Sequence, residues 1–138
     1  DSPYIVKGDI KINQNATLKV EPGVIVKFDR DYKIVVNGTL IAIGNNDLPI
    51  IFTSNVFMPS KGNWRGIHFV GPNSNQSVIS KCTIEYAQCA LLLRDSSLRI
   101  YENIIRNNSK FGIKCEKSMT MIINSNISNN GYRLKVSD

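Results

Sequence analysis

Long apolar runs are missing from this chain of 138 residues. No segment approaches the roughly 18 uninterrupted apolar residues of a membrane-spanning helix. No extended window carries helical periodicity either, which argues against a helical domain. There is a single histidine, His68, set in a strand between Ile67 and Phe69. No Ser-His-Asp or Cys-His constellation is readable around it, and a lone histidine is seldom a catalyst. Glycine-rich phosphate loops are absent, which removes a nucleotide-binding reading. So are rows of Thr-x-Thr, which would mark a flat ice-binding face. The cysteines, Cys82, Cys89 and Cys115, are odd in number and fit no zinc or Cys-x-x-Cys spacing. They read as buried free thiols, with a Cys82–Cys89 bridge across a bend as the alternative. There is no initiator methionine, signal peptide or anchor, so Asp1 reads as a mature end or as a boundary cut from a longer chain.

What is present suits strands and turns. Ile and Val outnumber Ala, and Asn is frequent. Hydrophobic residues make up 42% and charged residues 20%, the balance of a folded domain rather than a disordered one. The formal net charge is +6. That sign favours acidic partners such as uronate-containing polysaccharide, or it is a solvated basic surface. No nucleic-acid motif accompanies the scattered Lys and Arg, so no nucleic-acid partner is expected.

The strongest signal is a repeat. Ile84, Ile105 and Ile127 recur about 21 positions apart. Leu92, Ile113 and Leu134 follow at the same phase, and Asn107-Asn108 and Asn129-Asn130 fall at equivalent bends. A repeat of this length is one turn of a solenoid, which must stack on its neighbours to bury an apolar face. The register sets Lys81 under Glu102 and Glu85 under Arg106. It reads the Asn pairs as a turn-stabilising ladder rather than as ligands. Upstream, Leu18–Val20, Val24–Phe28, Ile34–Val36, Thr39–Gly44, Pro49–Thr53 and Gly66–Val70 read as short strands. They are punctuated by Pro22-Gly23 and Asn37-Gly38. Residues 55–63 break the pattern with Phe57 and Met58 in polar surroundings. That loop either covers a core edge or offers apolar surface to a partner. The reading is all-β: a single-stranded parallel β-helix of about 6–8 short turns of roughly 16–24 residues, one domain over residues 1–138.

Three stretches resemble the opening turns of right-handed parallel β-helix proteins: Ala16–Phe28, Val36–Leu40 and Pro49–Thr53. Trp64-Arg65-Gly66-Ile67 is similar to their W-x-G-I turn. Ile79–Ala87 and Asn103–Ile113 look like the generic repeat of the pectin-lyase-like superfamily. The resemblance implies a right-handed solenoid, secreted or on the cell surface. It points to the non-catalytic kind that serves as a carbohydrate-binding, adhesion or spacer module. The alternative is a polysaccharide lyase or hydrolase acting on acidic glycans. Pectate lyases of the group use calcium, but no converging carboxylate cluster is readable here, so no cofactor is expected.

No catalytic residue is assigned. Asp29 and Asp31 read as a charged turn. Asp95 and Glu116 line up 21 residues apart beside Arg94. Two stacked carboxylates would raise one pKa or invite a cation. Arg94, Asp95 and Glu116 are therefore candidate binding residues. Phe111 and Tyr132 join them as a stacked aromatic pair, either an exposed platform for a sugar face or a stack inside the core. Five N-x-S/T triplets occur, at Asn15, Asn37, Asn75, Asn107 and Asn126, and are attributed to Asn richness. Neither end shows a cap over its strand edges, so the chain reads as a module with flanking domains or as an end-to-end pair.

Overall fold

The computed structural model describes residues 2–138. The chain winds through six turns, each laying down up to three short strands. The first turn holds β1 (Tyr4–Val6), β2 (Ile10–Ile12) and β3 (Thr17–Val20); the second holds β4 (Ile25–Phe28), β5 (Lys33–Val36) and β6 (Thr39–Ile43). The third holds β7 (Ile50–Ser54), β8 (Gly66–Val70) and β9 (Val78–Ser80); the fourth, β10 (Cys82–Glu85), β11 (Cys89–Arg94) and β12 (Arg99–Tyr101). The fifth holds β13 (Ile104–Arg106), β14 (Phe111–Glu116) and β15 (Ile122–Ile123), and the sixth β16 (Asn126–Ser128) and β17 (Tyr132–Ser137). Each strand pairs in parallel with its counterparts above and below. This makes a first sheet β1-β4-β7-β10-β13-β16, a second β2-β5-β8-β11-β14-β17 and a third β3-β6-β9-β12-β15.

Stacking makes the core a set of columns. Val26, Phe52, Ile84, Ile105 and Ile127 run down the first sheet. Ile34, Ile67, Leu91 and Ile113 run down the second, and Ala42, Ile79, Ile100 and Ile122 down the third. Most of these side chains have almost no contact with solvent. Burying one aliphatic side chain stabilises by about 1.5–3 kcal/mol. A single turn carries too few of them to offset the entropy of ordering some twenty residues at roughly 1–2 kcal/mol each, so the turns stabilise one another. Trp64 plugs the bend before β8. It is fully buried, flat against Phe28 at a centroid distance of 3.9 Å, and its Nε1 donates to the Glu85 carbonyl at 2.9 Å. Gly66 follows because φ is +110° there and a Cβ would lie 1.7 Å from the Cys89 carbonyl oxygen.

From the fourth turn onward each corner bends on one left-handed residue. Tyr86, Asn107 and Asn129 bend the chain from the first sheet to the second. Asp95 and Lys117 bend it from the second to the third, and Lys81, Glu102 and Asn124 from the third back to the first. Only the asparagines and aspartate suit this backbone; for the others it costs roughly 1–2 kcal/mol each. Side-chain ladders secure the bends. Asn108 Oδ1 accepts from Ala87 N–H at 2.8 Å, and Asn130 Oδ1 from Asn108 N–H at 3.0 Å. Asn103 Oδ1 accepts from Cys82 N–H at 3.0 Å. At the remaining corner Ser74 and Ser96 share a hydrogen bond of 2.6 Å, and Ser118 Oγ accepts from Ser96 N–H at 3.0 Å. The serine ladder was not anticipated, although Ser74, Ser96 and Ser118 stand 22 positions apart in the chain.

The parallel solenoid and the Ile84–Ile105–Ile127 column agree with the sequence reading. Two details differ. Leu91, not Leu92, pairs with Ile113, which sets Cys115 opposite Leu93. The apolar run of β11 hides its alternation, so sequence alone could not fix its phase. The third turn also exceeds the expected length. Ile50 pairs with Cys82, 32 positions on, because both of that turn's connections are long. Phe57 and Met58 in the first of them cover no core edge: they are 97% and 78% exposed. The three cysteines are free and buried, and Cys82 and Cys89 lie in different sheets.

Candidate functional site

The outer face of the second sheet gathers most of the residues singled out from the sequence. In β14 alternation skips a beat, because Gly112 and Ile113 are both buried. Phe111 before them and Lys114 after them therefore share the outer surface. Lys114 Nζ lies 5.2 Å from the Phe111 ring centroid, within cation–π range. Tyr132 stacks on Phe111 with centroids 5.5 Å apart and rings 26° from parallel. Phe111 is half-buried and Tyr132 is 67% exposed. Of the two readings of this pair, the structure gives the surface stack, and Tyr132 is the ring that meets solvent.

The carboxylate pair does not form. Arg94, not Asp95, stands opposite Glu116. Arg94 Nε donates to Glu116 Oε2 at 2.7 Å, and Lys114 Nζ lies 3.0 Å from Glu116 Oε1. Hydrogen bonds from Lys114 and then Arg94 hold the Glu116 carboxyl below its ordinary range. Asp95 is the left-handed corner residue, stacked over Lys117, and its N–H donates to the Glu116 carbonyl at 2.9 Å. The cause of the slip is one residue. The corner between β10 and β11 holds residues 86–88, while that between β13 and β14 holds residues 107–110. The offset is therefore 21 for Glu85–Arg106 and 22 for Arg94–Glu116. The next corner, residues 129–131, is short again, which restores 21 for Phe111–Tyr132.

The other charged predictions hold in the geometry. Lys81 Nζ meets Glu102 Oε2 at 3.2 Å, and Arg106 Nε donates to Glu85 Oε2 at 3.0 Å. Asp29 and Asp31 are occupied locally: Asn55 Nδ2 donates to Asp29 Oδ1 and Gln88 Nε2 to Asp31 Oδ1. Among the described residues, no three His, Cys, Asp or Glu side chains are grouped so as to hold a metal ion. Nor is any helix long and apolar enough to cross a membrane.

Sequence reasoning passed over the depression next to the aromatic pair. One outward row runs His68, Leu92, Lys114, Lys135 down β8, β11, β14 and β17. A second has Cys89 above Phe111 and Tyr132. Cys89 N–H donates to the Arg65 carbonyl, which places Arg65 above Cys89. In the fourth turn both rows carry short side chains, Cys89 and Leu92, between long ones. The result is a groove of about 170 Å3 with Leu92 and Cys89 as its floor and Arg65, His68, Lys110 and Lys114 around it. His68 Nε2 lies 3.3 Å from the Arg65 carbonyl. Burial above all holds the imidazole below its ordinary pKa; the Arg65 carbonyl contact opposes this, and Lys33, Arg65 and Arg94 add to the lowering. Trp64 is in the core and offers no ring to this face.

Comparison with known proteins gives a family and little beyond it. Residues 1–90 match the family described as a pectate-lyase like beta helix domain. Protein bark beetle of Drosophila melanogaster is 38% identical over 50 residues, which is 36% of this chain. The chain spans only 2% of the length of that relative. No solved structure matches.

Proposed function

The chain belongs to the pectate-lyase-like β-helix family, and from that premise we propose that it is a non-catalytic module of a larger extracellular protein, binding carbohydrate on the outer face of its second sheet. The observation that carries the reading is the exposed ring of Tyr132, braced by Phe111 beneath it. A braced ring is held at little further entropic cost, and sugars present apolar C–H faces that pack on aromatic surfaces. The row His68, Leu92, Lys114, Lys135 extends the same face along the solenoid. A solenoid suits such a ligand, since its stacked strands offer an extended, repetitive surface to an extended, repetitive chain.

A stacked Asp95–Glu116 carboxylate pair would have favoured the lyase or hydrolase alternative. Glu116 instead sits in ion pairs with Arg94 and Lys114, and Asp95 turns a corner.

A glycan array probed with the 138-residue chain tests the proposal, with hits followed by calorimetry. Binding that is lost in Tyr132→Ala and retained in Tyr132→Phe supports it. Binding unchanged in Tyr132→Ala, or none on any glycan, counts against it. Staining of intact against permeabilised source cells tests the extracellular placement.

A further inference from the structure

We propose that the groove bounded by Arg65, His68, Lys110 and Lys114 is an anion subsite that seats one acidic substituent of the bound glycan, a sulfate ester or a uronate carboxylate. The inference rests on the carbohydrate reading and adds the ligand's chemical class.

The argument begins with shape. The dent exists because Cys89 and Leu92 are short where their stacked neighbours are long. Its floor is apolar and buried, with Leu92 and Cys89 only 7% and 8% exposed. Its rim is cationic and comes from two turns, Arg65 and His68 from the third and Lys110 and Lys114 from the fifth, on either side of a floor from the fourth. The groove is large enough to take an oxyanion group.

Charge compensation then separates the four. Lys114 already shares Glu116 with Arg94. Among the described residues neither Arg65 nor Lys110 forms an ion pair. Gln88, which also lines the groove, donates to Asp31 Oδ1 at 3.0 Å, and that carboxylate forms no ion pair with either of them. Two unneutralised cations and a shared third thus face one small concavity. An oxyanion there would take charge-assisted hydrogen bonds from both sides, with the Arg65 guanidinium able to bind it through two parallel N–H groups.

His68 supplies a signature that mere surface attraction lacks. Lys33 on β5, Arg65 before β8, Arg94 on β11 and Lys110 and Lys114 beyond it surround the imidazole with positive charge. Protonation is unfavourable in the empty groove and favourable once an anion sits in it. Affinity therefore rises as pH falls.

The experiment is a titration of the 138-residue chain with three labelled hexasaccharides: a heparin-type sulfated one, an oligogalacturonate and a neutral cello-oligomer. At least one acidic probe is expected to bind about tenfold or more tighter than the neutral one, and the acidic arm that binds identifies the group. Lys110→Ala, an exposed residue whose loss leaves the core intact, and Arg65→Gln should each weaken acidic binding about three- to tenfold, while Lys19→Ala on the third sheet leaves it unchanged. Lowering the pH from about 7.5 to about 5.5 should tighten acidic binding in the wild type and not in His68→Gln. Equal affinity for neutral and acidic probes overturns the subsite and leaves the carbohydrate reading standing. So does acidic binding that Lys110→Ala and Lys19→Ala weaken alike. Absence of binding to all three probes and to the array overturns both.

Discussion

The indole of Trp64 lies flat on Phe28, ring centroids 3.9 Å apart and planes 5° from parallel, while its N–H reaches across a turn to the Glu85 carbonyl. One side chain thus joins the second, third and fourth turns. Trp64→Ala leaves a large cavity and an unpaired carbonyl, and should cost about 3–5 kcal/mol. Trp64→Phe keeps most of the packing and loses the hydrogen bond, for about 1–3 kcal/mol. Urea unfolding followed by far-UV circular dichroism checks both; equal losses for the two variants would show the hydrogen bond to be the main term.

Asn108 is buried and fully engaged. Its Oδ1 accepts from Ala87 N–H, and its Nδ2 donates to the Arg106 carbonyl at 3.1 Å and to Asn130 Oδ1 at 2.8 Å. Asn108→Ala strands the Ala87 N–H without solvent and should destabilise by about 2–4 kcal/mol. Asn107→Ala, at the half-buried left-handed position next to it, should cost less, about 1–2 kcal/mol from backbone strain. Amide exchange at Ala87 is the sharper readout, accelerated in Asn108→Ala and little changed in Asn107→Ala.

Stability should decline in two steps toward acid. His68 is held below its ordinary value of 6.5, so the unfolded chain takes up that proton first. Stability is then level above about pH 6.5 and falls as pH drops from there to the folded-state value. Glu116 is held below its ordinary 4.5, so its contribution is present above that pH and is lost as pH falls through the lower folded value. Urea midpoints measured across this range should show both declines, with the first removed in His68→Gln.

Burial pushes the Cys82 and Cys89 thiols up to about 12 and raises Cys115 as well. A thiolate is the reacting species, so all three should resist Ellman's reagent at neutral pH and react together in denaturant. Rapid modification of Cys89 in the folded protein would mean that the groove floor opens.

How much of this could be read from the chain depends on corner length. Ile84, Ile105 and Ile127 showed themselves because the first-sheet offsets, 21 and 22, barely vary and β-branched residues mark the inward phase. Lys81–Glu102 and Glu85–Arg106 were legible for the same reason. Asp95–Glu116 misled because one extra corner residue before Phe111 shifts everything after it, and a corner leaves no apolar mark by which to count. Leu91 and Leu92 are indistinguishable in a run where five successive residues, Cys89 to Leu93, are apolar. The groove was out of reach altogether. It arises from what Cys89 and Leu92 lack relative to their vertical neighbours, a comparison that needs the register to be known first.

The third turn carries a lasting implication. It takes 32 positions where the fourth takes 21, yet its strands keep step with those on either side. The surplus is carried in outward excursions, anchored at their feet by Asn55 N–H on the Phe28 carbonyl and by Asn63 N–H on the Tyr86 carbonyl. Such a scaffold lets new recognition segments be spliced in at its bends while the stacked interior goes unaltered, so diversification and structural integrity are drawn from separate parts of the polypeptide.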